Sequence, residues 1–140
     1  MDTKGITFIE LILVIALIAT IGAAATPFLS RFVLQANFDS VVDKTTASLR
    51  KAQSYAMDSR GGLDWGVCVN NGYIRLYGGT CAAPDIFEDY TIPSSVGVSG
   101  LDDVVFDMRA QPSQSAAITI STTIESTTVN INAAGGIITN

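Results

Sequence analysis

Residues 11–30 read Leu-Ile-Leu-Val-Ile-Ala-Leu-Ile-Ala-Thr-Ile-Gly-Ala-Ala-Ala-Thr-Pro-Phe-Leu-Ser, without one charged side chain. At about 1.5 Å per residue, a helix of this length covers the roughly 30 Å hydrocarbon core of a bilayer. Glu10 stands directly before the run. Burying an ionised carboxylate there costs a few kcal/mol or more, so such a group usually has a partner and a purpose. Two readings of it stay open on the residues alone. It neutralises a charge in an assembly, or it rests at the headgroup boundary of a simple membrane anchor.

The segment before the run is not arranged like a secretory signal. Such a signal places a positive region and a short apolar stretch ahead of a small-residue cleavage site. Here Met1-Asp2-Thr3-Lys4-Gly5 forms a short polar leader that ends in Gly, and everything apolar follows it. Cleavage after Gly5 leaves the anchor whole. Within the anchor, Pro27 removes one backbone hydrogen bond and crowds the carbonyl of Ala23, and Gly22 weakens the helix further. A bend or local melting is expected between Gly22 and Pro27.

Gly5 followed by Ile6, with Glu10 the fifth residue after the Gly, resembles the class III leader of type IV pilins and of type II secretion pseudopilins. The resemblance implies cleavage between Gly5 and Ile6 by a prepilin peptidase on the cytoplasmic face, then N-methylation of Ile6. Many members carry Phe directly after the cut, where this chain has Ile6. It also implies that Glu10 pairs with the Ile6 amine of an adjacent subunit and so sets axial register. Pilins have a proline at this distance from the cut, so the helix is expected to curve and to unwind partly on packing into a filament.

Beyond the anchor about 110 residues remain, enough for one small domain. The net charge of −5 is unevenly spread. Residues 31–60 hold five basic side chains against three acids, whereas residues 61–140 hold two basic side chains against eight acids. Between residues 31 and 60, Phe38, Val42, Leu49, Ala52 and Ala56 recur at helical spacing. They form an apolar stripe beside a polar face of Asp39, Asp43, Lys44, Arg50, Lys51 and Gln53. Gly61-Gly62 is expected to stop this helix. Anchor and stripe can form one rod, and the lack of a sustained heptad favours packing on a sheet over a coiled coil.

After Gly62 the period becomes two. Residues 65–69 and 73–77, joined through Asn70-Asn71-Gly72, read as a hairpin. Further strands are expected at 89–92, 104–108, 117–123 and 128–133, with a short final Ile137-Ile138 after Gly135-Gly136. The expected fold is therefore α+β, a long membrane-plus-stalk helix packed on a C-terminal antiparallel sheet. Its segments are a leader at 1–5, an assembly helix at 6–30, an amphipathic continuation at 31–60 and a β-rich head at 61–140.

The order Leu49-Arg50-Lys51-Ala52-Gln53, Trp65-Gly66-Val67, Tyr73, Leu76-Tyr77, Val104-Val105-Phe106, Ile118-Thr119-Ile120 and Val129-Asn130-Ile131-Asn132 resembles the GspH/FimT-type minor pseudopilins and minor pilins. Where those proteins often show Phe-x-x-x-Gly, this chain has Phe106-Asp107-Met108-Arg109-Ala110. Cys68 and Cys81 are the only cysteines. With the head outside the cytoplasmic membrane they are expected to pair, which closes a short loop worth about 3 kcal/mol in the chain-entropy model. The alternative is two buried free thiols acting as small hydrophobes.

With no His in the chain, Ser–His and Cys–His chemistry and His-based metal sites are excluded, and no Gly-rich phosphate loop follows a strand. The chain is therefore read as a non-enzyme without a cofactor. Some related pseudopilins hold calcium in the head, and Asp102, Asp103 and Asp107 are oxygen donors, but without EF-hand spacing an exposed acidic turn is the simpler reading. Some FimT-type pilins capture DNA, yet residues 110–140 contain no Lys or Arg, which argues against nucleic acid as a partner.

The expected function is that of a structural subunit of a type IV pilus-like filament, foremost a minor pseudopilin of a type II secretion system that helps initiate or cap the pseudopilus. A minor or major pilin of a surface filament, or a membrane-anchored binding domain that never polymerises, are the alternatives. The expected partners are other pilin-type subunits through the N-terminal helix, the prepilin peptidase and the cytoplasmic membrane, with no small-molecule substrate. The expected location is single-pass in that membrane, with the N-terminus cytoplasmic and the head outside, and then in a filament.

Overall fold

A computed structural model describes residues 7–140, and within them the side chains of residues 24–27 are not described. Gly5, Ile6 and the proposed cleavage site lie outside the described residues. One helix, α1 (Phe8–Met57), is followed by a 3-10 turn (Arg60–Gly62) and eight strands. The strands are β1 (Trp65–Asn70), β2 (Tyr73–Gly79), β3 (Pro84–Thr91), β4 (Gly97–Ser99), β5 (Asp103–Phe106), β6 (Ala116–Ser121), β7 (Ser126–Ile131) and β8 (Ile137–Thr139). The architecture is a long N-terminal helix followed by antiparallel β-structure, an α+β arrangement. The chain divides into two compact units, Met1–Gln35 and Ala36–Asn140.

In the first unit the described large apolar side chains of α1 from Phe8 to Val33, among them Leu13, Ile18 and Phe28, are exposed, and Leu34 is half-buried. A helix that is apolar on every side belongs in a protein core or a membrane. Here none of the apolar window is buried in the molecule, and this one helix is long and apolar enough to cross a bilayer near the N-terminus. Thr20 Oγ1 donates to the Leu17 carbonyl at 2.8 Å, which turns a polar group back on its own helix. Helical structure runs through Gly22 and Pro27 without a break.

The second unit opens with the C-terminal part of α1. Its inward face is Phe38, Val41, Thr45, Ser48, Leu49, Ala52 and Ala56, all buried at the three- and four-residue spacing of one helix face. Val42 lies at its margin, only partly buried. Two polar residues sit inside this stripe. Thr45 is satisfied by donating to the Val41 carbonyl at 2.7 Å, and the Ser48 hydroxyl has no protein partner. The helix ends at Met57, earlier than Gly61-Gly62 suggest, because Ser59 turns left-handed at φ 46° and its N–H bonds Ala56 at three-residue spacing.

Two four-stranded antiparallel sheets, not one, complete this unit, in the orders β3-β2-β1-β5 and β4-β6-β7-β8. Their inner faces supply Trp65, Val67, Ile74, Leu76, Val104 and Phe106 from the first, and Ile118, Ile120, Val129 and Ile131 from the second. Each large apolar side chain fully buried here contributes about 1.5–3 kcal/mol of transfer free energy. The β1–β2 hairpin closes on Asn71 (φ 50°) and Gly72 (φ 80°), the two positive-φ positions that a type I′ turn requires.

Strand limits differ from the sequence expectation where ladder geometry prevails over composition. β3 begins at Pro84, and β5 stops at Phe106, where Asp107 enters a turn. β4 carried no periodic signal, being three residues that include Gly97, and it exists because β6 offers it a pairing edge.

Candidate functional site

Glu10 occupies the first turn of α1. The N–H groups of Glu10 and Leu11 both bond the Thr7 carbonyl, at 3.1 and 3.2 Å, so the turn is closed at this point. A carboxylate here also meets the positive end of the helix dipole, a local contribution of about 0.3–1 kcal/mol. Its neighbours Phe8, Ile9, Leu11, Leu13 and Val14 are all exposed and apolar. Glu10 is the sole charged side chain among the described residues up to Ser30. The apolar surface around it therefore suits lipid or another apolar helix, and the carboxylate is the one group on it able to select a cation.

Cys68 and Cys81 form a disulfide with Cα atoms 6.3 Å apart. Cys68 is fully buried in β1, and the bond pins the loop after β2 onto the first sheet's outer side. The same side carries Tyr77, which crosses over Gly66 and donates its hydroxyl to the Asp103 carboxylate. Burial, with that hydrogen bond behind it, pushes the Tyr77 phenol far above its ordinary range. A Cβ on Gly66 would lie 2.6 Å from the Tyr77 hydroxyl and 2.9 Å from the Val104 carbonyl, so the ring's position requires glycine.

The three aspartates weighed for calcium serve separate ends. Asp103 accepts from Tyr77, and Asp107 accepts from the N–H groups of Arg109 and Gln111 at 2.9 and 2.8 Å, organising the turn after β5. Asp102 is exposed. Among the described residues no group of three or more acidic, Cys or His side chains is placed to hold a metal ion. In the turn that Asp107 organises, Ala110 stands four residues after Phe106 with φ 61°. The left-handed conformation that a glycine would supply there is kept even with alanine.

Gln53 was expected on the polar face. Its Nε2 instead donates to the carbonyls of Gly135 at 2.6 Å and Ala110 at 3.3 Å, joining α1 to the loops after β7 and β5. A second tie joins Lys51 to Glu88 on β3 at 2.6 Å, and Tyr90 donates to the same carboxylate oxygen at 2.9 Å. The Lys51 bond, opposed by desolvation, holds the Glu88 carboxyl below its usual value, and the same bond raises Lys51. Lys44 lies over the Tyr90 ring at 4.9 Å and Arg60 over the Tyr55 ring at 4.3 Å. On the other face of β3, Arg75 makes a two-pronged bond to Asp89 at 2.7 and 2.8 Å. Of the five basic residues between 31 and 60, Lys44, Lys51 and Arg60 are thus drawn into internal contacts. These ties carried no sequence signal, since each depends on which strand the helix meets.

Three clefts among the described residues contain acids, the smallest, of about 80 Å³, sharing Asp64 and Asp107 with its neighbour. One of about 290 Å³ is lined by Asp64, Asp107, Gln111 and Ser113, and one of about 440 Å³ lies between α1 and the β6–β7 turn with Asp39, Asp43 and Glu125 at its walls. In comparisons with known proteins, no family model, no curated protein and no solved structure matches this chain.

Proposed function

We propose that this chain is a structural subunit of a type IV pilus-like filament, anchored in the cytoplasmic membrane by α1 with its β-rich unit outside. Within that reading it is a minor pseudopilin of a type II secretion system that helps initiate or cap the pseudopilus, and it is not an enzyme. The observation that carries the proposal is Glu10, the one charged side chain among the described residues up to Ser30, set in the first turn of α1 among exposed apolar side chains and five residues after Gly5. In an apolar assembly the amine of a newly cut Ile6 must be neutralised, and a carboxylate one turn along a neighbouring helix does so. The Cys68–Cys81 disulfide supports the outside placement, because such bonds persist in oxidising compartments.

The test is intact-mass and N-terminal peptide spectrometry on membranes from cells with and without the prepilin peptidase. A peptidase-dependent species beginning at N-methyl Ile6 is expected, and Glu10→Lys should then remove the protein from filaments while leaving it in the membrane. An uncut chain that begins at Met1 and ignores Glu10→Lys would mean an anchored domain that does not polymerise.

A further inference from the structure

Forming Cys68–Cys81 removes two electrons and two protons from the chain, and the two sulfurs start from unlike places. Cys68 is fully buried on the outer side of β1, with Arg75 directly opposite on β2 and Asp103 directly opposite on β5. Both neighbours are fixed by contacts that do not involve the bond. The Tyr77 side chain crosses from β2 over Gly66 to Asp103 and closes one side of Cys68. The Arg75 guanidinium, held by Asp89 and lying over the Phe87 ring at 4.9 Å, flanks the other. Cys81 instead lies in the turn between β2 and β3, half-buried, beside Thr80, Ala82 and Ala83, which are exposed, small and uncharged. That turn is also set in place without the sulfur. The Gly79 N–H bonds the Asp64 carbonyl at 2.8 Å, Thr80 Oγ1 donates to the Ala83 carbonyl at 3.2 Å and accepts from its N–H at 3.3 Å, and Arg75 Nη1 donates to the Cys81 carbonyl at 3.4 Å.

We propose that Cys81 is the site of thiol–disulfide exchange on this chain, the sulfur that engages a disulfide-bearing oxidant, and that Cys68 only resolves the product. The thiolate is the attacking form. Cys81 thiolate attacks one sulfur of the oxidant's disulfide, which forms a mixed disulfide on Cys81 and expels the oxidant's other sulfur as a thiolate. Cys68 then attacks Cys81 Sγ, its proton passing to the departing thiolate, so the Cys68–Cys81 bond closes and the oxidant leaves as a dithiol carrying both electrons. Exchange rates depend on access to the sulfur attacked. In the reverse order the oxidant would have to bring its own sulfur beside Cys68, between Tyr77 and Arg75 and beneath the turn. Cys68 itself needs no such access, because the turn carries Cys81 to it, with the two Cα atoms 6.3 Å apart in the product. Reduction runs along the same path, an outside thiolate attacking Cys81 Sγ and releasing Cys68. The inference concerns the β-rich unit alone and is independent of filament assembly.

The experiment compares Cys68→Ser with Cys81→Ser as full-length chains in detergent micelles. Each receives oxidised glutathione, and intact mass follows the mixed disulfide on the one remaining cysteine. Each rate is divided by that of the same variant unfolded in urea, which removes intrinsic differences between the two thiols. Modification of a buried group waits for local opening, so Cys81 should react at least about tenfold faster than Cys68 in the folded variants. A ratio near one, or a faster Cys68, overturns the proposal. Emission from the buried Trp65 reports whether each variant is folded. Where one is not, the fully reduced wild-type chain replaces both. It is exposed briefly to oxidised glutathione and quenched in acid, and peptide mass spectrometry should find the first adduct on Cys81; an adduct on Cys68, or one shared equally, overturns the proposal. Repeating the comparison with an oxidised Cys-x-x-Cys oxidoreductase separates the sources of the disulfide. A rate above that of glutathione assigns a protein oxidant and a rate below it a small disulfide, and under either the preference for Cys81 must hold.

Discussion

Gln53 gives the sharpest test of how the helix is held to the β-structure. Its amide makes two bonds to backbone carbonyls more than fifty residues away, at 2.6 Å to Gly135 and 3.3 Å to Ala110. A neutral hydrogen bond contributes about 0.5–1.5 kcal/mol net, and the longer of these two belongs at the low end, so Gln53→Ala should cost about 1–2.5 kcal/mol. With an m-value of about 1.5 kcal/mol/M, a 2 kcal/mol loss moves the urea midpoint down by about 1.3 M. Gln53→Glu should be worse at neutral pH, about 3 kcal/mol, because a carboxylate then faces two carbonyl oxygens. That environment favours the neutral acid, so the folded pKa of the new Glu rises above its ordinary ~4.3. A raised folded pKa means a deficit that is smallest near pH 4 and grows as pH rises through the shifted value. Urea unfolding of the full chain in detergent micelles, followed through its single and buried Trp65, reads both variants. A loss below about 0.5 kcal/mol for Gln53→Ala, or a Gln53→Glu deficit that does not change between pH 4 and pH 7, would refute the reasoning.

Further outcomes follow from single contacts. Ala110→Gly should stabilise the β-rich unit by about 0.5–1 kcal/mol, since it relieves a left-handed alanine, and a lower unfolding midpoint would count against this. Gly66→Ala should destabilise by about 1–3 kcal/mol, and Tyr77→Phe in the same chain should recover part of that loss by removing the hydroxyl nearest the new methyl; denaturant midpoints of the single and double variants measure the coupling. Reducing Cys68–Cys81 should lower stability by about 3 kcal/mol, read as the midpoint shift between oxidised and reduced samples. The Lys51–Glu88 tie should contribute only a few tenths of a kcal/mol, because both side chains are more than a third exposed. Glu88 is lowered from 4.5 and Lys51 raised from 10.5, so this contribution is present between those values and is lost in acid and again in strong base. A Lys51→Met variant should match the parent at pH 3 and fall slightly below it at pH 7.

Local chemistry set much of this molecule before any folding. The uncharged run at 11–30 is long enough for a membrane and too apolar for water. The Asn-Gly dipeptide supplies the two left-handed positions of the β1–β2 turn. The alternation in β1, β2, β6 and β7 assigns their inner faces. Helical spacing found Phe38, Leu49, Ala52 and Ala56 as inward residues, yet passed over Thr45 and Ser48 because a hydroxyl scores as polar, even though Thr45 satisfies its own by bonding back to the helix.

Tertiary structure alone decided the rest. Which strands pair is a matter of long-range partners, so the division into two sheets and the existence of β4 were not legible in the chain. The same holds for Gln53, placed on the polar face by its chemistry and turned inward by two carbonyls that reach it from distant loops. Periodicity is a property of neighbours along the chain. A hydrogen bond across fifty or eighty residues depends on where the backbone returns, and no local pattern encodes that.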